Sequence, residues 1–176
     1  MKQTKIRKRS LHMGVIRVRA RIRAPLPQVW EFLIKPEHMH LWGPFTRPVI
    51  GIDRPFEAGD RVTLDRKDFF DFFWHHSQVL LVEKVVPYHS LHLRDLSPGA
   101  VRMNVTVIVS VEETADREAT WIEEAIFYSL GKSRVMQWLD RSLVNPVLQL
   151  IARYPTHKAF RRLRASVEQP HTPVSS

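Results

Sequence analysis

The sequence predicts an α+β domain: a curved antiparallel sheet of about seven strands wrapped on one long C-terminal helix, in the order strand, two short helices, six strands, helix. Three observations predict it. Apolar and polar residues alternate with a period of two in successive short segments between residues 14 and 130. The first segment is followed by a proline-flanked stretch with a helical apolar stripe. After residue 130 the period changes to about 3.6 and stays there.

Taken in order, Gly14, Ile16, Val18, Ala20 and Ile22 share one face, and Arg17, Arg19, Arg21 and Arg23 share the other, the pattern of a half-buried strand. Pro25 and Pro27 stop it and open a helix whose stripe is Val29, Trp30, Phe32 and Leu33. Pro36 breaks that helix, and a short helical turn over 37–42 ends at Trp42-Gly43-Pro44. Strands are then expected at Phe45–Ile52, Arg61–Arg66 after a turn over 56–60, Phe72–Val86, and Ser90–Leu96. Ser97-Pro98-Gly99 turns the chain into the clearest strand, where Val101, Met103, Val105, Val107, Val109 and Val111 alternate with Arg102 to Ser110. Glu112 to Glu118 reads as a polar turn and Ala119 to Leu130 as the last strand. Val135, Leu139, Leu143, Val147, Leu150, Ile151 and Tyr154 then form a helical stripe, continued by Phe160 and Leu163. Pro146 is expected to kink this helix and Pro155 to end or restart it. Consecutive strands with short turns pair antiparallel. One helix cannot fill the concave side of so wide a sheet, so a pocket between them is expected.

The length, 176 residues, suits one domain. A single ligand-binding domain is expected over 12–167, with a basic flexible tail over 1–11 and a disordered tail over 168–176. There is no cysteine, which excludes disulfides and thiolate chemistry. No apolar run reaches the ~20 residues a spanning helix needs, and no signal-peptide core follows the basic N-terminus, so a cytoplasmic location is expected. The net charge of +9 is placed at the two ends: residues 1–23 hold nine basic residues and no acid, and 153–164 hold five, again without an acid. Residues 24–152 carry 13 basic and 17 acidic residues, a net of −4. The basicity therefore does not belong to the body of the domain, and without a helix-turn-helix, zinc or RNA-binding signature nucleic acid is not the expected partner.

Ile16 to Ile22, then Ala24-Pro25, Val29-Trp30, Pro36 and Trp42, resemble the opening of the SRPBCC superfamily, which includes START domains, the birch-pollen allergen family and bacterial polyketide cyclase/dehydrase-like proteins. The resemblance continues through Phe56 to Gly59, Trp74, Val85-Val86-Pro87, Thr120 to Tyr128 and the closing helix, about residues 14–167. It implies a helix-grip fold and ligand binding in a hydrophobic cavity. The related bacterial proteins carry a glycine-proline-aromatic turn and a histidine-rich strand where this chain has Leu96 to Gly99 and Arg102 to Ser110, so histidine-based pocket chemistry is not implied.

Glu123 and Glu124 are adjacent in a strand and must point to opposite faces. The resemblance places Ile122, Glu124, Ile126 and Tyr128 inside. An inward carboxylate is desolvated and its pKa raised, which suits an acid, a base or a ligand anchor, making Glu124 the candidate catalytic residue. The bland alternative is a salt bridge to an arginine of the first strand. The expected cavity lining is Trp74, Met103, Val105, Ile122, Glu124, Ile126, Tyr128, Met136, Trp138, Leu139 and Leu143. Phe69 to Phe73 form an aromatic run that suits an entrance loop or a homodimer patch.

No metal and no cofactor is expected. His75-His76 diverge in a strand, His38 and His40 are two apart on a helix, His89 and His92 are three apart in a strand, and no helical His pair occurs. The glycines form no phosphate loop, and Ser129, Ser133 and Ser142 lack an elbow motif. The leading functional expectation is binding of a small hydrophobic molecule, lipid-, polyketide- or aromatic-like. A cyclase/dehydrase-type enzyme using the cavity carboxylate is the alternative, and a protein- or polyanion-interaction module is the third.

Overall fold

A computed structural model describes residues 14–43, 52–65, 77–96, 104–129 and 145–168. Strand β1 spans Gly14–Ile22 and alternates as its sequence requires: Ile16, Val18 and Ile22 are buried and Arg17, Arg19 and Arg21 are exposed. Helix α1 (Leu26–Ile34) starts at Pro25, whose fixed φ and missing amide suit a helix N-terminus, and buries Val29, Trp30 and Leu33. A 3-10 turn (Pro36–His38) and the short helix α2 (Met39–Trp42) follow. Then come β2 (Arg61–Asp65), β3 (Ser77–Val86), β4 (Ser90–Asp95), β5 (Asn104–Glu113), β6 (Thr120–Ser129) and helix α3 (Asn145–Val167).

The described strands form a single sheet in the order β1-β6-β5-β4-β3-β2, antiparallel throughout. This is the predicted helix-grip arrangement with six strands among the described residues. The expected strand at Phe45–Ile52 lies almost wholly outside them, as do Ser97-Pro98-Gly99, Phe69 to Phe73 and Val135 to Leu143.

Two boundaries differ from the sequence reading. Glu112 and Glu113 still belong to β5, paired with Trp121 and Thr120, so the turn is shorter than the run of acids implied. Helix α3 does not end or restart at Pro155: it continues through it to Val167. A proline removes one backbone donor and crowds one turn, a cost of about 3 kcal/mol. The stripe Thr156, Ala159, Phe160, Leu163 and Val167 that follows Pro155 is buried, and its packing offsets that cost. Pro146 lies in the described helix, and the chain before Asn145, against which the expected kink would be seen, lies outside the described residues.

The C-terminal half of α3 is tied to the chain's opening elements. Gln28 Nε2 donates to Val167 O (3.0 Å), Arg162 Nη2 to Gly43 O (3.2 Å), and Arg23 N to Glu168 Oε1 (2.6 Å). Trp30, Leu33, Trp42, Val111, Ile122, Phe160 and Leu163 belong to one continuous core in the angle between sheet, α1 and α3. No described helix is long and apolar enough to cross a membrane.

The candidate functional site

The concave face can be read row by row from the strand registers. One row is Ala20, Ile122 and Val111; the next is Val18, Glu124, Val109 and Leu91; the next is Ile16, Ile126, Val107 and Leu93; the last is Gly14, Tyr128 and Val105. Val111 and Ile122 are buried in the core. Two rows on, Val107 and Ile126 are only half-buried, and so is Val105 beyond them. These three are apolar, lie on the adjacent interior strands β5 and β6 and face the helix side of the sheet. A half-covered apolar stripe on the inside of the fold is a surface prepared for something to lie against.

Glu124 stands at the border between the packed and half-covered regions. The alternation of β6 turns it inward while Glu123 faces outward, which answers the question the adjacent pair posed. The two carboxylates meet opposite surroundings. Glu123 pairs with Arg17 (3.8 Å) on the convex face. Glu124 lies between Val18 and Val109 in register and is 5% exposed. So the first-strand arginine that the bland alternative offered to Glu124 goes to Glu123. The partner of Glu124 is Thr156 on α3, whose hydroxyl hydrogen-bonds the carboxyl. Burial pushes the Glu124 pKa up to about 7, opposed in part by that hydroxyl. A carboxyl so placed can hold or release a proton near neutrality.

Thr156 was not singled out from the sequence. Its signal was present: it is the one polar residue in the stripe Thr156, Ala159, Phe160, Leu163, Val167, at spacings of three and four. Gly14 was also overlooked. It faces Tyr128 across the β1–β6 ladder, and a Cβ there would clash with the phenol end of the Tyr128 ring. The glycine lets the ring lie over the strand and close the last row, where Tyr128 is 2% exposed. A small residue opposite a large aromatic is recognisable only once the register is known.

Of the expected lining, Val105, Ile122, Glu124, Ile126 and Tyr128 all face inward; Val105 and Ile126 are half-buried, the other three buried. Trp74, Met103, Met136, Trp138, Leu139 and Leu143 lie outside the described residues. Among the described residues no group of three His, Asp or Glu side chains could hold a metal ion.

The convex face accounts for the arginine ladder. Arg19 Nη2 pairs with Glu112 (2.9 Å) while its guanidinium stacks 4.4 Å over Trp121, and Arg21 pairs with Asp116 (3.1 Å). The acids come from β5 and the β5–β6 turn as well as from β6.

No family model matches the sequence, and neither does any curated protein. The fold does match solved structures. Norcoclaurine synthase from Thalictrum flavum, solved with dopamine and hydroxybenzaldehyde, is 13% identical with a TM-score of 0.61, over 97% of this chain and 96% of that one. Protein CV1439 from Chromobacterium violaceum is 12% identical with a TM-score of 0.60, over 89% of this chain and 99% of that one. DynU16, from the dynemicin biosynthetic locus, is 19% identical with a TM-score of 0.53. The match takes in 89% of this chain and 48% of DynU16, so the chain spans about half the length of that protein. At such identities the likeness is one of fold.

Proposed function

We propose that this chain, built on the helix-grip fold, binds a small hydrophobic molecule between the concave face of the sheet and helix α3. The observation that carries the reading is the half-covered stripe of Val105, Val107 and Ile126 on the interior strands β5 and β6, bordered by the buried Glu124. Apolar side chains facing a domain interior are normally closed over, because each Å2 left in water forgoes about 25 cal/mol. Leaving three of them open on the inner face costs stability that a bound apolar guest returns. Norcoclaurine synthase, a structural neighbour, was solved with two small aromatic molecules, which agrees with a small-molecule partner for this fold.

The test is to fill the stripe. Ile126→Trp places a large ring where the guest would lie. Organic extraction of the purified wild-type protein followed by mass spectrometry is expected to yield a co-purified apolar compound, and the variant is expected to lose it while keeping its circular dichroism spectrum. A wild-type protein that yields no compound and takes up no neutral apolar fluorophore removes the binding reading.

A second reading is favoured by one observation. A buried carboxyl with a pKa of about 7 suits general acid–base work, as in a cyclase- or dehydrase-type reaction. Glu124→Gln separates the two: an enzyme loses turnover and keeps affinity, whereas in a carrier there is no turnover to lose.

A further inference from the structure

We infer that the ligand is a cationic amphiphile, a small molecule whose protonated amine sits against the Glu124 carboxylate and whose apolar body runs along Val107, Ile126 and Val105. This rests on the binding reading above and deepens it.

The inference begins with what surrounds Glu124. From β1 the inward residues beside it are Ile16, Val18 and Ala20, and from β5 they are Val107, Val109 and Val111. Along β6 its inward neighbours are Ile122 and Ile126, and among the α3 residues whose side chains are described, from Thr156 on, the nearest buried ones along the helix are Thr156, Ala159 and Phe160. None of these is charged. The nearby arginines of β1 stand on the opposite face with Glu123, Glu112 and Asp116. Among the described residues, the carboxyl therefore has a hydroxyl for company and no cation. A buried charge without a counter-ion is costly, and proteins ordinarily supply one.

The donor that the fold does supply is chosen for the ionised form. A threonine hydroxyl donating to a carboxylate favours the charged state over the neutral one. Among the described residues the site is half prepared for an anion and lacks a cation. An ammonium group from outside completes it with a charge-assisted hydrogen bond. An anionic head group, as on a fatty acid, would instead bring two like charges together in a low-dielectric setting. A neutral head group would make only an ordinary hydrogen bond.

Position fixes the orientation. Glu124 lies on the packed side of the stripe, next to the row of Ile122 and Val111, and the half-buried residues lie on its other side. The polar head is therefore buried deepest, with the apolar body extending over Ile126 and Val107 toward Val105. The net charge of −4 over residues 24–152 is compatible with admitting a cation.

The experiment compares three probes of equal chain length, octylamine, octanol and octanoate, by calorimetric titration of the full chain at pH 8. Octylamine is expected to bind about tenfold or more tightly than octanol, with octanoate weakest. In Glu124→Gln the amine is expected to fall to the affinity of the alcohol, while octanol stays within about twofold; Glu123→Gln is expected to keep the preference, which excludes surface pairing. Equal binding of amine and alcohol, or strongest binding of octanoate, overturns the inference and leaves the apolar site standing. Binding of none of the three overturns the binding reading itself. The wild-type rank order decides even if Glu124→Gln does not fold.

Discussion

The two ends of the concave face are built from the same residue types and serve different ends. Toward the C-terminus of β1, Ile22, Val111 and Ile122 meet Leu163 and the α1 helix in a closed core. Toward its N-terminus, Val105, Val107 and Ile126 keep part of their surface open, although the strands that carry them are the same β5 and β6. Valine and isoleucine thus mark core at one end and contact surface at the other. The difference lies in what the helix brings over each row. Thr156 hydrogen-bonds Glu124, and over the roughly three turns that follow Ala159, Phe160, Leu163 and Val167 are buried, the last three in the core of the closed end.

That contrast can be broken experimentally. The largest expected effect is at the closed end. Ile122→Ala should cost about 2–5 kcal/mol in denaturant unfolding, because it leaves a cavity in packed surroundings. Ile126→Ala, four residues on, should cost about 1 kcal/mol, because its side chain is only partly withdrawn from water. Equal costs would mean that the face is packed evenly from end to end.

The border between the ends should respond to pH. The folded pKa of Glu124, about 7, lies above the 4.5 of an unperturbed glutamate. The folded state therefore binds this proton more tightly than the unfolded state. The stability it contributes is complete below about pH 4.5 and is lost as pH rises through about 7. The full span is about 3 kcal/mol. Glu124→Gln lacks this dependence, so its stability relative to wild type should improve by about that amount between pH 4 and pH 8. A flat difference would show that the carboxyl is not desolvated. Using the difference between the two proteins removes the contribution of acids such as Asp60, whose pKa the Arg54 guanidinium holds below the usual range.

A smaller effect is expected where the open end is closed off. Gly14→Ala should cost about 1–3 kcal/mol, as for other overpacked sites, and should shift the near-ultraviolet circular dichroism of Tyr128, whose ring must move. Smallest of all is the convex face. Arg19→Ala should change stability by less than about 1 kcal/mol, since its pair with Glu112 is exposed. A larger loss would mean that the ladder does more than balance charge.

Much of this was legible in the chain. The alternation of β1 placed its arginines outside and its aliphatic residues inside before any coordinate was known. The adjacency of Glu123 and Glu124 required one of them to point inward. Period and adjacency are local properties, dictated by how a strand or helix displays side chains, and a sequence carries them directly. The rest depended on which residues meet across the fold. Only the register set Gly14 against Tyr128 and Val18 against Glu124. Only the docking of α3 brought Thr156 to the carboxyl, 32 residues away in sequence, and carried that helix unbroken through Pro155. Tertiary structure alone separated Ile122 from Ile126, two isoleucines on one face of one strand, because burial is a property of the partner as much as of the residue.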